Sequence, residues 1–199
     1  MKGISTLLSA VLIATIYIFL TFSTLKWALP MYQRNLDVLN LDKAEDSIHL
    51  LKDKIDRTLK LNSVEQYIFD IPGKIEVDPN KDQIIFTLKS AASRYDFRNY
   101  TCLVENCSEY GKIGEDFIIL KAKAYRFENR LIVTYTLKFR NLIKDNETYK
   151  IDLITSENKT LNGRENSKFI IKNLGEEKKF IAGVGNTTTF FLYFGLLGD

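Results

Sequence analysis

The chain has little of what active sites are built from. It carries one histidine and two cysteines in 199 residues, so one copy holds no Cys/His set for a structural zinc. The histidine, His49, lies four residues after Glu45 within a helical pattern. It reads as a solvated or ion-paired helix residue, because no partner for a ligand or general-base role is visible in the sequence. Cys102 and Cys107 flank Leu-Val-Glu-Asn, which is not a Cys-x-x-Cys redox motif. There is no glycine-rich phosphate loop. Acid pairs such as Glu176-Glu177 sit beside lysines in polar surroundings. The formal net charge is only +3, which supplies no basic stripe for nucleic acid. Three prolines and ten glycines leave no low-complexity linker, and there is no internal repeat. No enzyme activity, metal, cofactor or nucleic-acid partner is expected.

What the chain does have is an uninterrupted uncharged segment from Gly3 to Leu25, preceded only by Met1 and Lys2. A helix of about 22 residues spans the roughly 30 Å hydrocarbon core of a bilayer. Seven small hydroxyls in the segment, from Ser5 to Thr24, can bond back to their own helix. Lys26 and Trp27 follow at once and suit the headgroup region. A cleaved secretory signal would show an apolar core of about 7–15 residues and a small-residue cleavage site. Here the run is longer and no such site precedes Lys26. A retained membrane helix is the better reading.

The junction Lys2-Gly3-Ile4-Ser5-Thr6-Leu7-Leu8 places a short basic leader, ending in Gly, directly against the apolar helix. This resembles the archaeal type IV pilin and pilin-like family, which shares its N-terminal helix type with archaeal flagellins. The resemblance implies cleavage by a membrane-embedded prepilin peptidase between Gly3 and Ile4, with the helix kept on the mature protein. It also implies filament assembly through that helix, with Leu7, Leu8, Val11, Leu12, Ile16 and Phe19 among the contact residues. The chain departs from the bacterial pilin pattern at Leu8, where that group carries Glu, and from some archaeal leaders at Thr6, where they carry Pro. Lipid tails and neighbouring apolar helices are similar environments, so the transfer from bilayer to filament need not expose apolar surface to water.

Pro30 is expected to break or kink the helix near the membrane surface. Beyond it Leu41, Ala44, Ile48, Leu51, Ile55 and Leu59 recur at three- and four-residue spacing and draw one apolar stripe. Asp42 with Glu45 suggests a capping box at a fresh start after Asn40. The stripe is too short for a coiled coil and needs a head domain to cover it. Asn62-Ser63 ends the pattern. The divisions expected are a leader at 1–3, a transmembrane and assembly helix at 4–29, an amphipathic continuation at 30–62, and an extracellular β head at 63–199.

The head reads as short strands between polar turns. Leu131 to Phe139 alternates strictly and predicts a half-buried strand, with Glu128-Asn129 as the turn before it. Gln83 to Lys89 and Phe117 to Tyr125 show the same period. Tyr67 to Ile71, Lys74 to Val77, Tyr149 to Thr155, Lys168 to Lys172, Lys178 to Val184 and Thr188 to Phe194 complete the set, and Ser156 to Ser167 reads as an exposed connection. Phe190, Leu192 and Phe194 are expected to face the core. Phe191 and Tyr193 face either the long helix, on a strand buried on both sides, or another subunit. The fold class expected is α+β: a long N-terminal helix on an antiparallel, sandwich-like β head. The run from Ile71 to Lys89 is also similar to archaeal pilin-like heads.

Lys26, Arg34 and Lys43 follow the span and only Lys2 precedes it, so the positive-inside count does not place the head. The cysteine pair, the asparagine sequons and the pilin resemblance argue for a head outside the cell. Outside the cell Cys102 and Cys107 are suited to a disulfide closing a small loop; two free thiols are the alternative. Acceptor sequons stand at Asn99, Asn106, Asn146, Asn158 and Asn186, all C-terminal to residue 98. The pilin resemblance implies that these are glycosylated. The function expected is therefore a structural filament subunit whose partners are the membrane, other pilins and the peptidase. The other expectation is a permanently anchored binding or stator-type protein with the same head.

Overall fold

The computed structural model describes residues 2–90, 95, 99–128, 130–145, 147–156, 158–181 and 184–197, with side chains from Leu8 onward. One helix, α1 (Lys2–Leu61), runs for 60 residues without interruption, about 90 Å at 1.5 Å per residue. Pro30 lies inside it and does not break it. A proline there removes one N–H, whereas stopping and restarting the helix would add the larger penalty of a new nucleus. For the same reason there is no fresh start after Asn40. The helix ends where Asn62 takes a left-handed conformation, φ 50°, the usual place for Asn or Gly just past a helix.

The expected stripe is the buried face of α1. Leu41, Ala44, Ile48, Leu51 and Ile55 are buried, joined by Ser47 and Thr58, and Leu59 packs partly buried against them.

Among the described residues twelve strands follow: β1 (Val64–Phe69), β2 (Lys74–Asp78), β3 (Gln83–Ser90), β4 (Thr101–Cys102), β5 (Tyr110–Lys112), β6 (Ile118–Phe127), β7 (Arg130–Phe139), β8 (Asn141–Lys144), β9 (Glu147–Thr155), β10 (Leu161–Arg164), β11 (Ser167–Ile181) and β12 (Gly185–Leu196). They form two six-stranded sheets, ordered β1-β11-β12-β9-β8-β5 and β10-β2-β3-β7-β6-β4. Alternation sets the burial. Ile84, Phe86 and Leu88 on β3, and Val133, Tyr135, Leu137 and Phe139 on β7, all point into the core. β6 and β7 are joined by a two-residue turn between Phe127 and Arg130; Glu128 there has φ 53°, and Asn129 lies outside the described residues.

Four features differ from the sequence expectation. The sheets are mixed: β9 and β12 run parallel, as do β5 and β8. The segments Lys168–Lys172 and Lys178–Ile181 are one strand, β11, with a one-residue irregularity between Asn173 and Glu176. The segment read as a loop contains β10. That strand lies against the core because Gly163 has no side chain; a Cβ there would meet Phe169 at 2.5 Å and Ile75 at 2.8 Å. Lastly, β12 is a central strand whose Leu192 and Phe194 are buried, but Phe191 and Tyr193 on its other face are only half-buried. The helix packs on the Leu192 side, in the common core, and so does not cover that second face.

Side chains from α1 and both sheets share one core. Phe69 of one sheet meets Phe86 of the other with ring centroids 5.1 Å apart. Asp82 in the β2–β3 turn accepts the Leu153 N–H of β9 at 2.9 Å, and burial raises its carboxyl pKa against that bond. The Tyr67 hydroxyl lies 2.6 Å from Ser47 Oγ on the helix; burial pushes this phenol well above its ordinary value.

Candidate functional site

The site in this chain is a surface. Among the described side chains, none of α1 before Leu41 belongs to the hydrophobic core. Leu8, Val11, Leu12, Ile16 and Phe19 are between 49% and 70% exposed. Gly3, Ile4 and Leu7 lie on the helical backbone, and their side chains are outside the described set. The helix is long and apolar enough to cross a membrane. Three of its threonine hydroxyls are turned inward on the backbone: Thr15 donates to the Val11 carbonyl at 2.8 Å, Thr21 to that of Tyr17 at 2.8 Å, and Thr24 to that of Leu20 at 2.9 Å. Such bonds lower the penalty of placing a hydroxyl in an apolar medium.

The exposed apolar surface continues beyond the uncharged run. Trp27, Leu29, Met31, Tyr32, Leu36, Val38 and Leu39 are all exposed large side chains. Leu25, Leu29, Tyr32, Leu36 and Leu39 follow alternating steps of four and three, which is the spacing of a helix–helix seam. Lys26, Arg34 and Asp37 fall off that seam. Inside the uncharged run the seam is masked because nearly every position is apolar.

On the head, Cys102 and Cys107 form the disulfide, with Cα atoms 6.0 Å apart, within the range such a bond needs. Arg140, whose side chain is buried, reaches the disulfide loop through Nη1, which donates to the Asn106 carbonyl at 3.5 Å, and it holds the neighbouring Glu115-Asp116 segment. Its Nε donates to the Asp116 carbonyl at 2.6 Å and its Nη2 lies 3.1 Å from Glu115 Oε2. Asp116 in turn takes Lys52 of the helix at 2.8 Å. Burial pulls the Lys52 pKa down, but its bond to Asp116 and the charges of Asp116, Asp56 and Asp53 outweigh this and raise it. No signal in the sequence marked Arg140 or this helix-to-loop tie.

The sequons are not equivalent. Asn99 and Asn158 are exposed outside regular strands. Asn106 is exposed in the disulfide loop, where its Oδ1 accepts the Ser108 N–H at 2.9 Å. Asn186 is in β12, between Phe180 of β11 and Glu147 of β9, and the hydroxyl-bearing Thr188 is buried. Asn146 lies outside the described residues. His49 is half-buried on α1, and among the described residues no group of His, Cys, Asp and Glu is placed to hold a metal. No family model, no curated protein and no solved structure matches the chain.

Proposed function

We propose that this chain is a structural subunit, major or minor, of a surface filament of the archaeal type IV pilus kind. Ile4–Leu29 would hold it in the membrane and then join it to other copies or other pilins. In this reading prepilin peptidase cuts between Gly3 and Ile4, the head lies outside the cell, and its two sheets are the layers of a sandwich over the common core. The disulfide and the exposed sequons are consistent with an outside head.

One observation carries the proposal: the bare apolar surface of α1 is longer than a bilayer covers. From Leu8 to Leu39 it extends about 48 Å, whereas a hydrocarbon core is about 30 Å thick. A lone anchor would carry the seam through the headgroup layer at Leu29 and leave Leu36 and Leu39 beyond it in water. Packing against neighbouring helices covers them, which favours assembly over the permanently anchored binding or stator-type reading.

Mass spectrometry of the N-terminus tests both readings. In native membranes and in filaments sheared from cells, the polypeptide is expected to begin at Ile4. A chain that keeps Met1 and never leaves the membrane fraction would overturn the filament reading in favour of the anchor.

A further inference from the structure

We propose that the outer face of the sheet β2-β3-β7-β6-β4 binds an acidic polysaccharide, a chain of sugars bearing carboxylates. The face carries a trough of about 410 Å³. Its floor is Ile85, Thr87 and Thr134, and its walls are Tyr100 and Tyr125. Thr87, Thr134 and Lys123 fall in one cross-strand row over β3, β7 and β6.

Each component matches part of a sugar acid. Threonine hydroxyls both donate and accept, as sugar hydroxyls do. The tyrosine rings give flat apolar faces for the C–H side of a pyranose. They are already exposed, at 57% for Tyr100 and 41% for Tyr125, so binding removes apolar surface from water. Lys123 Nζ lies 5.3 Å from the Tyr100 ring centroid, which orients the ring and sets a cation at the rim.

Charge selects the acidic form. Among the described lining residues Glu76 is the one carboxylate, and Lys74 compensates it at 2.8 Å. Lys121, two residues from Lys123 on β6, and Lys89, in the cross-strand row of Tyr125, add positive charge to the same face. The trough is shallow and runs over rigid strands, which suits a chain better than a single sugar. A nucleic acid would share the need for lysine and aromatic rings. The saccharide is favoured because the floor offers threonines and an isoleucine rather than further rings on which bases stack. The proposal goes beyond the filament reading and does not depend on how α1 assembles.

The test uses the full chain in detergent, made in a host that adds no N-glycans, so that a sugar on Asn99 cannot occupy the trough. Binding of polygalacturonate is measured beside dextran, poly-glutamate and an oligo-dT strand. Polygalacturonate is expected to bind with clear preference over all three. Lys123→Ala and Tyr100→Ala are each expected to weaken it by about tenfold, with thermal unfolding unchanged because both side chains are at the surface. The proposal is overturned if polygalacturonate does not bind, if poly-glutamate or oligo-dT binds as well, or if both variants bind like the parent.

Discussion

The hydroxyl of Tyr95 lies 2.9 Å from that of Tyr135, and together they join the helix to the β3–β7 sheet. Tyr95 donates to Glu45 Oε2 at 2.7 Å, and Tyr135 donates to the Leu41 carbonyl at 3.2 Å. Each phenol has one proton. With the Tyr95 proton on Glu45, the Tyr135 proton is shared between Tyr95 and Leu41. Tyr135→Phe removes both acceptors' donor at a buried site and is expected to destabilise the head by about 1–2 kcal/mol. Tyr95→Phe leaves the Tyr135 bond to Leu41 intact but removes the donor to the Glu45 carboxylate, and should cost about as much, roughly 1–3 kcal/mol. Urea unfolding of the two single variants and the double variant should show coupling, because the residues share one network. Strict additivity would mean that the phenols do not act together.

Asp82 gives a pH prediction. Its folded pKa is raised by burial, against the lowering effect of the Leu153 N–H. A carboxyl raised on folding binds its proton more readily in the folded state. Its contribution to stability therefore falls as pH rises from its ordinary value of 3.8 through the folded value. Asp82→Asn keeps an acceptor for Leu153, removes the charge and suits φ 47°. It is expected to match or exceed the parent in thermal stability at neutral pH and to flatten that part of the pH profile. Asp82→Ala loses the bond and should cost about 1–2 kcal/mol. A large loss in the Asn variant would show that the carboxylate itself is needed.

These two ties were not legible in the sequence, and the reason is physical. A local pattern reports which face of an element is buried. It therefore revealed the Leu41–Ile55 stripe and the alternation on β3 and β7, both of which the fold uses. It does not report which distant element supplies the other half of a contact. Tyr135 alternates like any core residue, and Arg140 stands at the end of a strand with its partners in remote loops. The parallel pairing of β9 with β12 leaves no local trace, since a parallel and an antiparallel neighbour ask for the same alternation. β10 was hidden by the polar residues around Gly163. Pro30 did not break the helix, because a local penalty was outweighed by the helix on either side of it.

The sequons should be occupied unequally. A transferase needs an accessible Asn and a free hydroxyl two residues on. Asn99 and Asn158 offer an exposed acceptor outside the strands. Asn186 is held in β12 with Thr188 buried, so it can be modified only before the sheet closes. Glycopeptide mass spectrometry of native protein is expected to find higher occupancy at Asn99 and Asn158 than at Asn186. The reverse order would mean that modification precedes folding of this sheet.

The seam on α1 separates assembly from anchoring in one variant. Leu36 is exposed, lies beyond the uncharged run and precedes the first residue packed on the head. A lysine there leaves the apolar span of Gly3–Leu25 and the head core untouched. On a lone anchor Leu36→Lys replaces a wet leucine with a wet lysine and changes nothing that matters. In a bundle of like helices it sets charges against one another and against apolar neighbours, and burying an unpaired ammonium there carries a penalty of several kcal/mol. Leu36→Lys is therefore expected to insert in membranes and melt like the parent, yet to be missing from sheared filaments. Asn35→Lys, one residue away and off the seam, should enter them. If both lysine variants assemble equally, the seam is not a contact, and the apolar surface from Leu29 to Leu39 has some other cover.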